Sequence, residues 1–223
     1  MDLTGKTIDF LGDSLTEGVG VEDRERNRFD NIIRRECGLK KTNNYGIGGT
    51  RIAHQFYPSP RARWDMDFCG RLFDMDPSAD VIVVCGGGND YYHGDAPFGK
   101  IGDTDRTTFC GSVYYLVTTI KELYPSAVYV FVTPMKLRHS TLPSQSRHKR
   151  PGTEMRPLKD YVDAIESIAS SQGFHVYNAY ERLGIDPDKP EDCAKYIAAD
   201  EVHMVDAGHK VLAAKLIDFL KSI

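Results

Sequence analysis

Residues 81–90 read Val81-Ile82-Val83-Val84-Cys85-Gly86-Gly87-Gly88-Asn89-Asp90. An unbroken β-branched run bounded by Asp80 and three glycines specifies a strand buried on both faces, because a strand with one wet face would alternate polar and apolar residues. Strands of that kind belong to parallel sheets covered by helices on both sides. The same grammar repeats outward from this run. Upstream, Lys6 to Leu11 reads as a strand ending at Gly12, and Phe29, Ile32, Ile33 and Cys37 follow at helical spacing with Gly38 as the stop. Lys41 to Ile47 is a weaker strand. Downstream, Phe109, Val113, Leu116, Val117, Ile120 and Leu123 trace a helix face, and Ala127 to Val132 a strand closed by Pro134. Leu158, Tyr161, Val162, Ile165 and Ile168 mark a further helix with Pro157 in its first turn. Phe174 to Tyr177 is a short strand, and Leu212, Leu216, Phe219 and Leu220 mark a last helix with Asp206 as its expected N-cap. This alternation predicts an α/β fold with a mostly parallel sheet of about five strands between two helical layers. No repeat or linker divides the chain, so residues 1–223 are expected to form a single domain.

Composition removes several function classes. Lys plus Arg number 28 against 32 Asp plus Glu, a net charge of −4 that does not suit a general nucleic-acid binder. The longest compact apolar run, Val81 to Cys85, falls far short of the ~20 residues of a membrane-spanning helix. The start of the chain shows no basic segment followed by an apolar one, and the five cysteines are scattered without a C-x-x-C pair. Free thiols in a cytoplasmic protein are the corresponding expectation.

In open parallel sheets, ligands bind beyond the carboxyl ends of the strands. Three polar, glycine-rich turns fall there: Gly12-Asp13-Ser14-Leu15-Thr16, Gly48-Gly49-Thr50 and Gly86-Gly87-Gly88-Asn89-Asp90. None carries a dinucleotide or phosphate-loop pattern, and Gly18-Val19-Gly20 is followed by the acidic Glu22 and Asp23. Acyl transfer fits better, since it needs a nucleophile, a base, a group that orients the base and donors for an oxyanion. Ser14 supplies a hydroxyl on the first turn. Asp200 and His203 are three residues apart, so one compact turn brings carboxylate and imidazole together and fixes the tautomer that a base requires. The N–H groups of Ser14 and Gly49 and the amide of Asn89 are candidate oxyanion donors. Thr16 stands where the G-x-S-x-G elbow would require glycine. Taken singly, each residue has a plain structural reading as a cap, a turn or a packed histidine; the ordered set does not.

These residues resemble the blocks of the SGNH hydrolases, the GDSL esterases and lipases. Gly12-Asp13-Ser14-Leu15 with Gly18 is similar to the first block, and Asn44 to Thr50 to the second, whose oxyanion glycine falls on Gly49. Gly87-Gly88-Asn89-Asp90 is similar to the third, with Asn89 as the oxyanion amide, and Asp200-x-x-His203 followed by Ala207-Gly208 to the fifth. Met204 follows the histidine where the family usually has proline. The resemblance implies a flavodoxin-like three-layer α/β/α fold and a metal-free, cofactor-free Ser-His-Asp hydrolase acting on a small-molecule ester. A short, acetyl-like acyl group on a sugar or other small alcohol is the first expectation. A lysophospholipase or thioesterase acting on longer chains is the second, and a binding module without turnover the last.

Three further expectations concern loops. Trp64, Tyr91 and Tyr92 are candidate pocket residues. Glu22 to Arg28 is expected to be a solvated face. Lys136 to Arg156 carries six basic residues (Lys136, Arg138, Arg147, Lys149, Arg150 and Arg156) against the single acid Glu154. It is expected to be a surface loop, either a solvated basic face or a lid that favours anionic substrates.

Overall fold

The computed structural model describes residues 1–149 and 151–223, and Arg150 lies outside the described residues. Five strands form one sheet: β1 Thr7–Gly12, β2 Lys41–Gly46, β3 Val81–Cys85, β4 Val128–Val132 and β5 His175–Tyr177. Every pairing is parallel and the order is β2-β1-β3-β4-β5, the flavodoxin-like arrangement. The strand period of two divides the core into two parts. Ile82, Val84 and Phe131 point to one side, where they meet the helices Phe109–Leu123 and Leu158–Ser171. Val81, Val83, Val130 and Val132 point to the other, where they meet Phe29–Cys37 and Asp206–Ser222. The double-sided burial read from residues 81–85 is therefore the central strand of a three-layer sandwich.

Local chemistry explains most boundaries. Gly38 ends its helix in the left-handed conformation at φ 61°, which glycine adopts without a Cβ penalty. Pro157 caps the helix that begins at Leu158 and so stands one residue before its first turn. Asp206 departs from its expected role. It is the first residue of the last helix, after Val205, and its carboxylate accepts instead from Glu22 N–H at 3.0 Å and Asn27 Nδ2 at 2.7 Å. That bond draws the segment after β1 onto the last helix. Residues 22–26 are exposed, as expected of a solvated face, and the segment holds a short helix, Arg24–Asn27, followed by an ion pair between Arg28 and the buried Asp30 at 2.6 Å.

With β1 paired to β2 on one side and to β3 on the other, the winding reverses between β1 and β3. A crevice opens outside the carboxyl ends of strands at such a reversal. Gly12 and Cys85, the last residues of the two strands, are register partners, so the turns that follow them begin side by side.

Candidate active site

The first turn after β1 enters a one-turn helix, Ser14–Glu17, whose N-cap is Asp13. The Asp13 carboxylate accepts from Leu15 N–H at 3.0 Å, which fixes Ser14 at the helix start without using its hydroxyl. Asp13 is buried, and burial pushes its pKa up to about 6 against the opposing effects of that N–H, His203 and Arg71.

The turn after β2 is held from three directions. Glu17 Oε2 accepts from Gly48 N–H at 2.6 Å, and Arg63 reaches both Glu17 oxygens at 3.0 Å. Gly49 has φ 82° and packs directly under the Trp64 indole, so that a Cβ there would overlap the ring. Asp90 accepts from Ile52 N–H at 2.9 Å and Ala53 N–H at 3.0 Å. These buried N–H groups have no water to fall back on, and burial raises the Asp90 pKa to about 6 even so. Leaving a buried donor unpaired costs about 1–3 kcal/mol, so Asp90→Ala, which strands two, lowers stability by roughly 2–6 kcal/mol. Urea unfolding checks this, and an unchanged midpoint would mean that the segment repacks without the carboxylate.

Asn89 lies in the helix Gly88–His93 after β3. Its Nδ2 donates to Thr50 O at 3.0 Å and makes a longer contact of 3.4 Å to Asp13 Oδ2. The amide thus ties all three strand-end turns together.

Asp200 and His203 share one tight turn. Asp200 Oδ1 accepts from the backbone N–H groups of Val202 and His203, both at 3.0 Å, and Oδ2 lies 2.6 Å from His203 Nδ1. Burial works to raise the Asp200 pKa, but these donors outweigh it and hold the carboxyl below its ordinary value. With Nδ1 donating to the carboxylate, Nε2 is left as the acceptor. Two backbone bonds flank the turn, from Ala198 N–H to His203 O at 2.7 Å and from Val205 N–H to Tyr196 O at 2.9 Å. Gly20 lies against the backbone of Met204 and the Cβ of His203, a closeness that a side chain would prevent.

Ser14, Asn89 and His203 line one cavity of about 70 Å³, together with Asp13 and the apolar side chains of Leu15, Val132, Met135, Leu137, Val202 and Met204. Tyr92 lines it as well, whereas Tyr91 packs in the core, donates through its hydroxyl to Leu142 O at 3.0 Å and lines a neighbouring cavity with Tyr92. Trp64 stands apart over Gly49, its ring tilted against that of His93 at 4.6 Å between centroids.

Three of the six basic residues counted between 136 and 156 are paired with acids. Lys136 pairs with Asp186, Arg138 with Glu201, and Arg156 with Glu154 and Asp160. Lys149 donates to the carbonyls of Asp90 and Tyr91. Acids from elsewhere in the chain neutralise much of the local excess, which counting within the loop cannot reveal. Arg150, part of that count, lies outside the described residues.

Glu17, Arg63 and Arg71 are absent from the sequence reading. Arg71 is buried and donates to Gly12 O at 3.1 Å and Thr50 Oγ1 at 3.0 Å, joining the ends of β1 and β2. Nothing in the spacing of a lone arginine 59 positions from its partner signals this. Glu17 was within reach, because it lies on the same helical turn as Ser14.

Comparisons with known proteins agree with this fold. The model of the GDSL-like lipase/acylhydrolase family matches residues 10–211. A crystal structure of a protein from Lactobacillus plantarum is similar at 28% identity and TM-score 0.81, covering 98% of each chain. The M. smegmatis aryl esterase shares the fold at 19% identity and TM-score 0.64, covering 97% of this chain and 99% of its own. So does a carbohydrate acetylesterase family member from Sinorhizobium meliloti, at 16% identity and TM-score 0.62, covering 97% of this chain and 98% of its own. No curated protein matches this sequence. With most of its length matched by the family model and all three layers in place, the chain belongs to the GDSL-like lipase/acylhydrolase family.

Proposed function

We propose that the protein is a serine esterase that hydrolyses a short-acyl ester, acetyl foremost, of a sugar or other small alcohol through an acyl-enzyme, within one domain spanning residues 1–223. The observation that carries this reading is the 2.6 Å contact between Asp200 Oδ2 and His203 Nδ1 on a turn that shares a cavity with Ser14. Ser14 Oγ attacks the ester carbonyl while its proton passes to His203 Nε2. Asp200 holds the imidazole in the accepting tautomer and stabilises the imidazolium that forms. Ser14 N–H, Gly49 N–H and Asn89 Nδ2 receive the developing oxyanion. The imidazolium then protonates the departing alcohol. Water adds to the acyl-enzyme by the same route and releases the acid and Ser14. The cavity of about 70 Å³ has room for a few heavy atoms and favours a short acyl group over a long chain. The arylesterase and carbohydrate acetylesterase names of two structural neighbours are in keeping with such substrates. A panel of nitrophenyl esters from acetyl upward tests the reading; activity that rises with chain length would replace it with lysophospholipase or thioesterase action.

The pH profile follows from the groups around Ser14. An imidazole base loses its acceptor nitrogen as pH falls through about 5.5–7.5. Asp200, held below its ordinary pKa, stays ionised throughout that window. Asp13 does not: with a pKa raised to about 6 by burial, it loses its charge in the same window as pH falls. An anionic Asp13 favours the imidazolium of the transition state, so its protonation lowers the rate further. The acid limb of log kcat/KM is therefore expected to be steeper than the slope of one that a single proton gives. Asp13→Asn should return the slope to about one and lower the plateau. A flat profile down to pH ~4 would point to a carboxylate base instead.

A further inference from the structure

A second cavity, of about 200 Å³, adjoins the first. The two share Tyr92, Leu137 and Val202, and Asp200 itself lines the second one. An ester whose carbonyl sits at Ser14 with its acyl group in the smaller cavity has its alcohol half at this junction. The lining chemistry restricts what that half can be. Arg138, the single Lys or Arg among the described residues of this wall, is paired with Glu201, and Asp200 and Glu201 are acids, so a phosphate or carboxylate would find no spare cation there. Apart from His139, whose Nδ1 lies 3.3 Å from Asp188 Oδ1, the other polar groups of the wall are amides and hydroxyls. Gln145 makes one long bond, from Nε2 to Pro143 O at 3.3 Å. Ser146 Oγ accepts from His148 N–H at 3.2 Å, which leaves its own proton to donate. Tyr92 adds a hydroxyl and a flat ring face. Amide and hydroxyl groups beside an aromatic face suit a molecule that has many hydroxyls and an apolar C–H face. The cavity wall also contains His139 at φ 56° and Glu201 at φ 61°, the two non-glycine residues with positive φ among the described residues. Strained backbone of this kind collects at ligand clamps.

We propose that this second cavity binds the leaving alcohol, and that the alcohol is an uncharged polyhydroxylated ring, that is, a sugar unit bearing the ester. The assignment rests on the acyl-enzyme reading of Ser14. It takes the alcohol from any small molecule to one class and gives that class a location between residues 137–146, the pair Tyr91 and Tyr92, and the turn of residues 200–202.

The experiment compares three substrates: vinyl acetate, vinyl butyrate and methyl 6-O-acetyl-glucopyranoside. Both acetates give the same acetyl-enzyme, so a change confined to the sugar ester arises in acylation, while the alcohol is still bound. Gln145→Trp fills the cavity from an exposed position. It should lower the ratio of kcat/KM for the sugar acetate to that for vinyl acetate by about tenfold or more, and Gln145→Ala should lower it by less, in the same direction. A sugar-to-vinyl ratio unchanged within about twofold in both variants would overturn the proposal. A shift in the butyrate-to-acetate ratio with the sugar-to-vinyl ratio unchanged would assign the cavity to the acyl chain and overturn it as well. If the unsubstituted protein hydrolyses vinyl acetate but not the sugar ester, the alcohol class is wrong while the esterase reading stands. If it hydrolyses none of the three, the acyl-enzyme reading itself fails.

Discussion

Ser14→Ala lowers kcat/KM for a short-chain ester by about three orders of magnitude or more, with the fold intact. The loss is large because the hydroxyl is the group that forms the acyl bond, and no neighbour can take its place. Asp13 and Thr16 flank it, but Thr16 is fully buried and Asp13 is occupied by the Leu15 N–H. The fold survives because the local turn is capped by Asp13 and not by Ser14, and because Ser14 lies at the cavity wall outside both halves of the core. Thermal unfolding should shift by only a few degrees at most, since a change of about 0.5 kcal/mol is typical away from packed sites. Members of a triad act as a unit, so His203→Ala added to Ser14→Ala should cost little more. A Ser14→Ala enzyme that keeps most of its turnover would remove the residue from the chemistry.

Asn89→Ala lowers kcat by roughly 10²–10³ while KM changes much less. The amide stands at the junction of the three strand-end turns, donating to Thr50 O at 3.0 Å and more weakly to Asp13 at 3.4 Å. A developing oxyanion is a better acceptor than the distant Asp13 oxygen, so the amide contributes more in the transition state than in the free enzyme. Steady-state kinetics separate the possibilities. A fall in kcat marks oxyanion stabilisation, whereas a rise in KM alone would make Asn89 a substrate-binding residue.

The sheet was legible because its strands are encoded locally. Residues 81–85 have no polar interruption, and the helices Phe29–Cys37 and Phe109–Leu123 show their apolar faces in spacing alone. The candidate triad was legible because Asp200 and His203 lie within one turn and Ser14 follows a strand directly. What spacing could not show is the scaffold that positions these groups. Glu17 on Gly48, Arg71 on Gly12 and Asp90 on Ile52 are each pairings of groups from separate turns, made only when the sheet brings its carboxyl ends together. The same holds for charge. Arg138 finds Glu201 63 positions away and Lys136 finds Asp186 50 positions away, so part of the loop's charge excess is paired by acids that its own composition does not include. Asp206 followed the rule for helix caps in sequence but was drawn one residue inward, because Asn27 and Glu22 compete for its carboxylate.

The central claim is that Ser14 is a nucleophile activated by His203. A fluorophosphonate reacts only with an activated hydroxyl, phosphonylating its oxygen with loss of fluoride, and intact mass followed by peptide mapping locates the adduct. The account predicts one adduct per chain, on the peptide that contains Ser14, formed far more slowly in His203→Ala and absent in Ser14→Ala. An adduct on another residue, or no adduct in a folded protein that still hydrolyses esters, would contradict it.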